Sequence, residues 1–280
     1  MEFGVGTFVT DESIAPAALG SALEERGFES LFVSEHSHIP VSRASRWRGT
    51  DELPHKYFRT LDPFVILTAA ATVTVRLKVA TGILLIVERD PITTAKEISS
   101  LDVVSGGRVI VGVAAGWDKE EMRDHGTDPA TRGELMRERI LAMKELWTKE
   151  QAEYHGRFVN FGPTYFWPKP VQRPCPPIVM GGGGPKTLDR VLEYGDGWMP
   201  NYDLGVEEIG RRAADLRHRA KEAGRGPVSV SVHETPADHD VIARLADAGV
   251  DRVLLDLPTL PAEETYRALD GLAAVARSFA

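Results

Sequence analysis

Residues 105–117 read Ser105-Gly-Gly-Arg-Val-Ile-Val-Gly-Val-Ala-Ala-Gly-Trp117. Val109, Ile110, Val111 and Val113 form an apolar, β-branched run of buried-strand type. Gly106-Gly107 marks the loop that feeds it. The run closes in small residues and Gly116-Trp117, and the charged, helix-like Asp118-Lys-Glu-Glu follows. A buried strand whose C-terminal end turns small leaves room for something. In α/β proteins that end is where ligands sit.

Outward from this block, strand-like and helix-like segments alternate. Glu2 to Val9, Phe28 to Ser34 and Leu77 to Ile86 read as strands before it. Pro177 to Gly181, Gly197 to Pro200, Val228 to Val232 and Asp251 to Leu257 read as strands after it. Asp62-Pro63 and Asp90-Pro91 open helices, with Asp suited to the N-cap and Pro to the first turn. Thr131-Arg-Gly-Glu134 has the form of a capping box. After it Met136, Ile140, Met143 and Trp147 share one helical face. Strands alternating strictly with helices imply a parallel sheet with helical crossovers. With eight such units a (β/α)8 TIM barrel is the expected fold, as one domain over residues 1–280; a doubly wound open sheet is the competing architecture. Two long stretches interrupt the pattern, 37–61 and 151–176, and are expected to be functional or mobile. The barrel rule puts the first over the ligand face. Both are expected to close over a substrate.

The 280 residues carry 33 Lys and Arg against 41 Asp and Glu, a net charge of -8. That balance, with no basic cluster, argues against a nucleic-acid surface. The single Cys175 leaves no internal disulfide and no cysteine-rich metal site. No apolar run approaches the length of a membrane span. The start, Met-Glu-Phe-Gly-Val-Gly, lacks a basic region, so the expected location is the cytoplasm.

Ser34-Glu35-His36 ends the second strand, which puts His36 at the barrel mouth. An imidazole there could exchange a proton near neutral pH, or simply bond loop backbone. Glu35, His36 and His38 lack a further clear ligand, so no metal is expected. Gly82, inside the third strand, marks a bulge or the close approach of a ligand. Gly181-Gly182-Gly183-Gly184-Pro185 follows the fifth strand and precedes a helix. Bare backbone N–H groups can wrap a phosphate there, and the helix dipole adds to the attraction. A plain turn needs fewer glycines, so the phosphate role is preferred. The loop has neither P-loop nor Gly-x-Gly-x-x-Gly spacing. No Gly-x-Ser-x-Gly elbow is present. A cofactor-free barrel hydrolase would need paired carboxylates at strand ends, with Glu35, Glu88 and Asp256 as candidates.

In order along residues 1–200, several segments resemble the luciferase-like monooxygenase superfamily, nearest its small F420-dependent oxidoreductases of actinobacterial type. They are Phe28-Glu-Ser-Leu-Phe-Val-Ser-Glu-His36, Ala80-Thr-Gly-Ile-Leu-Leu-Ile86, Leu101-Asp-Val-Val-Ser-Gly-Gly-Arg108, Gly112-Val-Ala-Ala-Gly-Trp117, Gly126-Thr-Asp-Pro-Ala-Thr-Arg132, and Pro177-Ile-Val-Met-Gly-Gly182 through Gly195-Asp-Gly-Trp198. The resemblance implies coenzyme F420, or alternatively FMN, at the C-terminal face. Gly181, Gly182, Gly183 and Gly184 would hold its phosphate, with Asn201 nearby. A non-proline cis peptide at or beside Gly82–Ile83 would back the ring, and Ala115, Gly116 and Trp117 would line its edge. Glu35-His36 matches an acid–histidine pair, with His36 catalytic and Glu35 in the cofactor site. Where some sugar-phosphate dehydrogenases of this type carry Glu, this chain has Trp117, which argues against that substrate class.

The resulting expectation is hydride transfer between deazaflavin and a small organic substrate; an FMN-dependent monooxygenase is the alternative. Tyr154, Phe158, Phe161, Tyr165, Phe166 and Trp167 suit either an apolar or aromatic substrate or a second subunit, as a homodimer would present. No membrane and no nucleic-acid partner is expected.

Overall fold

Two Asp-Pro pairs set the phase of the alternation. The Asp62 carboxylate accepts from the N–H groups of Phe64 and Val65 and opens helix α2 (Pro63–Thr72). Asp90 accepts from Thr93 N–H and opens α3 (Pro91–Ser105). Each cap satisfies otherwise orphaned donors, and proline at the next position loses nothing because its missing N–H had no partner to reach. Helix α3 ends at Gly106, whose φ of 68° is the left-handed conformation glycine adopts cheaply. The chain then enters the strand of residues 109–114.

The computed structural model describes residues 1–50 and 52–279. The remaining strands are β1 (Glu2–Thr7), β2 (Ser30–Val33), β3 (Lys78–Leu85), β4 (Val109–Ala114), β5 (Gln151–His155), β6 (Asn160–Tyr165), β7 (Ile178–Gly181), β8 (Gly197–Met199), β9 (Ser229–Thr235) and β10 (Arg252–Asp256). The other helices are α1 (Pro16–Glu25), α4 (Lys119–Asp124), α5 (Arg132–Thr148), α6 (Thr187–Tyr194), α7 (Val206–Glu222), α8 (His239–Asp247) and α9 (Ala262–Arg277). Eight strands close into a barrel in the order β1-β10-β9-β8-β7-β4-β3-β2, every pair parallel. The fold is thus the (β/α)8 barrel, not the open sheet. Phe32, Ala80, Ile110, Val179, Met199 and Leu254 fill its interior. A larger apolar layer packs between barrel and helices and includes the buried Met136, Ile140, Met143 and Trp147 of α5.

The opening block explains one irregularity of the wall. A Cβ at Gly112 would lie 2.1 Å from the Thr81 carbonyl oxygen. Only glycine lets β4 approach β3 this closely, and the β3–β4 register shifts between Thr81 and Leu84. The Gly82–Ile83 peptide within that shift is cis, at the position the resemblance implies.

Two expectations need correction. Thr131 does not close a capping box: its side chain makes no cap bond, and Glu134 pairs with Arg157 instead. A turn over Asp128 absorbs Thr131, whose ψ of 1° is not the extended cap conformation. Residues 151–176 do not close over the ligand face. They begin with the antiparallel hairpin β5–β6 and join α5 to β7, so they emerge at the opposite end of the barrel. There Gln172 bonds Asp102 and the Val109 carbonyl, and none of the segment's aromatics reaches the cavity described below. The first insertion does overhang the C-terminal face.

Candidate active site

A cavity of about 490 Å³ opens at the C-terminal ends of the strands. Each wall follows from the end of a strand: Ser34, Glu35 and His36 after β2, Gly82, Ile83 and Leu85 of β3, and Ala115, Gly116 and Trp117 after β4. Gly181 ends β7 and Gly182 and Gly184 follow it, Asn201 follows β8, and His233 and Glu234 belong to β9. Of the cofactor-site residues that the resemblance implies, Gly183 alone lies off this wall. Its carbonyl accepts from Arg212, and a Cβ there would face Leu204.

His36 is buried and its Nδ1 lies 2.6 Å from Oε2 of Glu121, on α4. Glu121 is fully buried, and its other oxygen accepts from Ser37 N–H at 2.8 Å and Ser37 Oγ at 3.1 Å. Burial pushes the Glu121 carboxyl up. The His36 hydrogen bond and charge, with the Ser37 and His38 N–H groups, outweigh this and hold it below the ordinary range. An ionised carboxylate only accepts, so Nδ1 carries the hydrogen, and in the neutral imidazole Nε2 holds the lone pair. Among the described residues, nothing else bonds to Nε2.

Around His36 stands an aromatic cage. The rings of Tyr57 and Trp117 lie 5.2 and 5.7 Å from the imidazole, and Phe8 lies 4.5 Å from Tyr57. Trp47 Nε1 donates to the Tyr57 hydroxyl at 2.8 Å. Burial pushes the Tyr57 phenol up to about 12, so it stays a hydroxyl. Trp47, Arg48 and Tyr57 all come from the 37–61 insertion, and Arg48 pairs with Glu234 across the mouth.

Glu35 lines the cavity, yet both carboxylate oxygens are engaged by the protein. Leu85 N–H donates to one at 2.6 Å and Arg89 Nε to the other at 2.5 Å. Arg89 also binds Asp62 and Glu97. Burial raises the Glu35 carboxyl against the pull of Arg89. Glu88 and Asp256 do not line the cavity, so the carboxylates picked for a hydrolase do not meet there. The Glu88 oxygens are buried with no hydrogen-bond partner among the described residues, and burial together with Glu121, Glu35 and Asp118 pushes this carboxyl up to about 9. His233 Nε2 is likewise buried and unpartnered, 3.0 Å from where a Cβ on Gly6 would stand.

The glycine loop leaves the Gly183 and Gly184 N–H groups without acceptors among the described residues. Gly182 has a φ of 102°, which disfavours any side chain, and Thr187, Arg132 and Arg190 stand beside it. The histidine grouping also differs from the one weighed in the sequence. His38, Glu121 and His125, rather than Glu35, His36 and His38, bring their ligand atoms within 4.8 Å of one another. The Ser37 hydroxyl sits among them, 2.8 Å from His38 Nδ1 and 2.7 Å from His125 Nε2.

Glu121, Tyr57, Trp47, Arg132, Arg190 and His233 escaped sequence reasoning. Some left a trace: Glu121 lies one turn into the Asp118-capped helix after β4, Arg132 ends the segment Gly126–Arg132, and Trp47 and Tyr57 lie in the insertion 37–61.

A barrel with a glycine loop after one strand and a carboxylate-held histidine after another matches a defined class. A family model described as luciferase-like monooxygenase covers residues 14–268, and the chain belongs to that family. An uncharacterized protein of Mycobacterium tuberculosis is 41% identical over 278 residues, 98% of each chain. The FMNH2-dependent dimethylsulfone monooxygenase of Pseudomonas putida is 32% identical over 170 residues, 60% of this chain and 45% of its own. The crystal structure of monooxygenase RslO1 from Streptomyces bottropensis superposes with a TM-score of 0.81 at 21% identity, over 100% of both chains. Other structures of this fold include F420-dependent enzymes and an FMN-bound monooxygenase. The protein is therefore an oxidoreductase of the luciferase-like monooxygenase family. Among the described residues, no helix is long and apolar enough to cross a membrane.

Proposed function

We propose that the protein is an F420-dependent oxidoreductase that moves a hydride between a deazaflavin and a small apolar or aromatic organic substrate. The observation that carries this reading is His36, fixed through Nδ1 by buried Glu121, with Nε2 unpartnered in the cavity wall. The residues present fit such a cofactor. Bare N–H groups and a positive-φ glycine form a cradle that a side chain would fill, and Arg132 and Arg190 supply charge for a phosphate. Ile83, Ala115 and Met199 offer an apolar wall for a ring system.

When bound, the deazaflavin supplies a carbon that accepts or releases a hydride. His36 Nε2 takes the substrate proton in oxidation and returns it in reduction. Glu121 stabilises the imidazolium that forms, as an ionised, hydrogen-bonded partner does. Phe8, Trp47, Tyr57 and Trp117 hold an apolar substrate and exclude water. They take the part expected of the aromatics of 151–176. Glu35 and Arg89 hold the end of β2, and with it His36, in place.

An FMN-dependent monooxygenase is the second reading, favoured by the 32% identity with the Pseudomonas enzyme. Fluorescence titration with F420 and with FMN separates the two. The expected result is F420 binding; micromolar FMN binding without F420 binding overturns it. His36→Asn is expected to keep F420 affinity and lose most turnover, and normal turnover would reduce His36 to a structural role.

A further inference from the structure

At the root of the 37–61 insertion, outside the cavity, two histidines and a carboxylate converge. His38 comes from the insertion, Glu121 from α4, and His125 caps the C-terminal end of that helix. His125 N–H bonds the Glu121 carbonyl at 3.2 Å, one turn back, so the two side chains share a face. The rings of His38 and His125 lie 5.5 Å apart. One ligand atom from each of these residues falls within 4.8 Å of the other two.

The hydrogens do not balance there. His38 Nε2 lies 3.0 Å from a carboxylate oxygen of Asp124. A carboxylate only accepts, so Nε2 carries the hydrogen and, in the neutral ring, Nδ1 holds the lone pair. Nδ1 faces the Ser37 hydroxyl at 2.8 Å, and Glu121 Oε1 faces the same hydroxyl at 3.1 Å. His125 Nε2 is its third neighbour, at 2.7 Å. A hydroxyl has one hydrogen to give, so it serves either the imidazole nitrogen or the carboxylate, and the other meets only a lone pair. A cation at the centre meets all three ligand atoms at once. The Ser37 and His38 N–H groups, 2.8 and 3.4 Å from Glu121 Oε1, hold that oxygen in position for it.

The donor set selects the ion. Two imidazole nitrogens with one carboxylate oxygen suit zinc and its divalent transition-metal neighbours, whereas magnesium and calcium take oxygen ligands. Asp124 stands where ligating histidines characteristically find an outer carboxylate, and it fixes which His38 nitrogen faces the ion. His38 and His125 are exposed, so the ion enters from solvent and keeps a water in its remaining position. Tetrahedral bonds of about 2.1 Å put ligand atoms roughly 3.4 Å apart, a contraction that exposed rings reach by rotating about their own side-chain bonds. We propose that His38, Glu121 and His125 bind one zinc-type divalent ion, which ties the root of the insertion to α4. The site stands whichever cofactor the cavity takes.

The test uses tag-free protein stripped of metal, with Zn2+ titrated in competition with a chromogenic chelator. The expected result is one equivalent of Zn2+, not displaced by excess Mg2+. His38→Ala and His125→Ala each remove a ligand and should weaken Zn2+ at least roughly a hundredfold; Asp124→Asn, which alters only the outer carboxylate, should weaken it roughly tenfold. His218→Ala, at an exposed histidine of α7 beside Glu222, should change nothing. Melting of the metal-free proteins separates lost ligation from lost fold. No Zn2+ binding in the micromolar range by the wild type overturns the site. An affinity unchanged in either His38→Ala or His125→Ala overturns it as well, since the ion would then sit on other surface groups.

Discussion

Glu121→Gln is the most informative single change, because the structure fixes what each oxygen does. Oε2 faces one donor, His36 Nδ1–H, and Oε1 faces Ser37 N–H and the Ser37 hydroxyl. Glutamine has the same shape but offers one acceptor and one NH2. Its oxygen must stay at the Ser37 side, since an NH2 against a backbone N–H would leave two buried donors face to face. The NH2 then meets His36 Nδ1, which can accept it only by giving up its hydrogen. The imidazole proton moves to Nε2, and the base needed in the cavity becomes a donor. Charge-assisted bonds become neutral ones, a loss of about 1–2 kcal/mol. For a chain of this size that lowers Tm by about 2–6 °C. The folded carboxyl of Glu121 lies below its unfolded value, so its contribution is present above about pH 4.5 and lost as pH falls through the folded value. Wild type and variant should therefore converge in stability below pH 4.5. Nitrogen-15 spectra of the histidine rings read the tautomer directly, and thermal melts at pH 7 read the energy. The same His36 tautomer in both proteins, or equal melting at pH 7, would refute the reasoning.

Three further outcomes are expected. Glu88 has a folded carboxyl pushed up to about 9, above its unfolded value, so it costs nothing below pH 4.5 and destabilises progressively as pH rises toward 9. Glu88→Gln should accordingly raise the urea midpoint at pH 7.5, by the equivalent of about 1–3 kcal/mol, and flatten its decline from pH 5 to 9. Gly182→Asp places a side chain at a φ of 102° and a negative charge in the phosphate cradle; cofactor affinity should fall at least roughly a hundredfold by fluorescence titration, and unchanged affinity would take the loop out of the site. Glu234→Gln removes the partner of Arg48 across the cavity mouth, a partly exposed pair worth about 1 kcal/mol or less. Limited proteolysis within residues 41–50 should then speed up by a few fold, with global stability unchanged.

Local chemistry made the barrel legible. The Asp62-Pro63 and Asp90-Pro91 caps, the glycine after α3 and the β-branched run at 109–113 each act within a few residues, and each is where the sequence puts it. The site was legible where it lies close to a strand. Glu35-His36, Gly82–Ile83 within β3, the 115–117 turn and most of the glycine loop line the cavity where the sequence expects them. The side chains that tune the site arrive from far along the chain: Glu121 meets His36 across 85 residues and Arg48 meets Glu234 across 186. No spacing encodes such closures. Residues 151–176 misled for a different reason. Aromatic content does not tell which barrel end a loop occupies, whereas its place between a helix and the next strand does. Thr131 and Glu134 carried a capping pattern that the preceding Asp128 turn overrode.

The 37–61 insertion is tied down unevenly. Its root is bonded through Ser37 and His38 to Glu121, Ser45 is held by Glu120, and its far end pairs Thr60 with Thr10. The span between Ser45 and Thr60 supplies Trp47, Arg48 and Tyr57 to the cavity, while His36 and Glu121 stand outside the insertion, after β2 and on α4. Changes of shape over the substrate and changes in proton handling are therefore written in separate stretches of chain. Rewriting some fifteen residues would reshape the cavity mouth and leave the His36–Glu121 pair untouched.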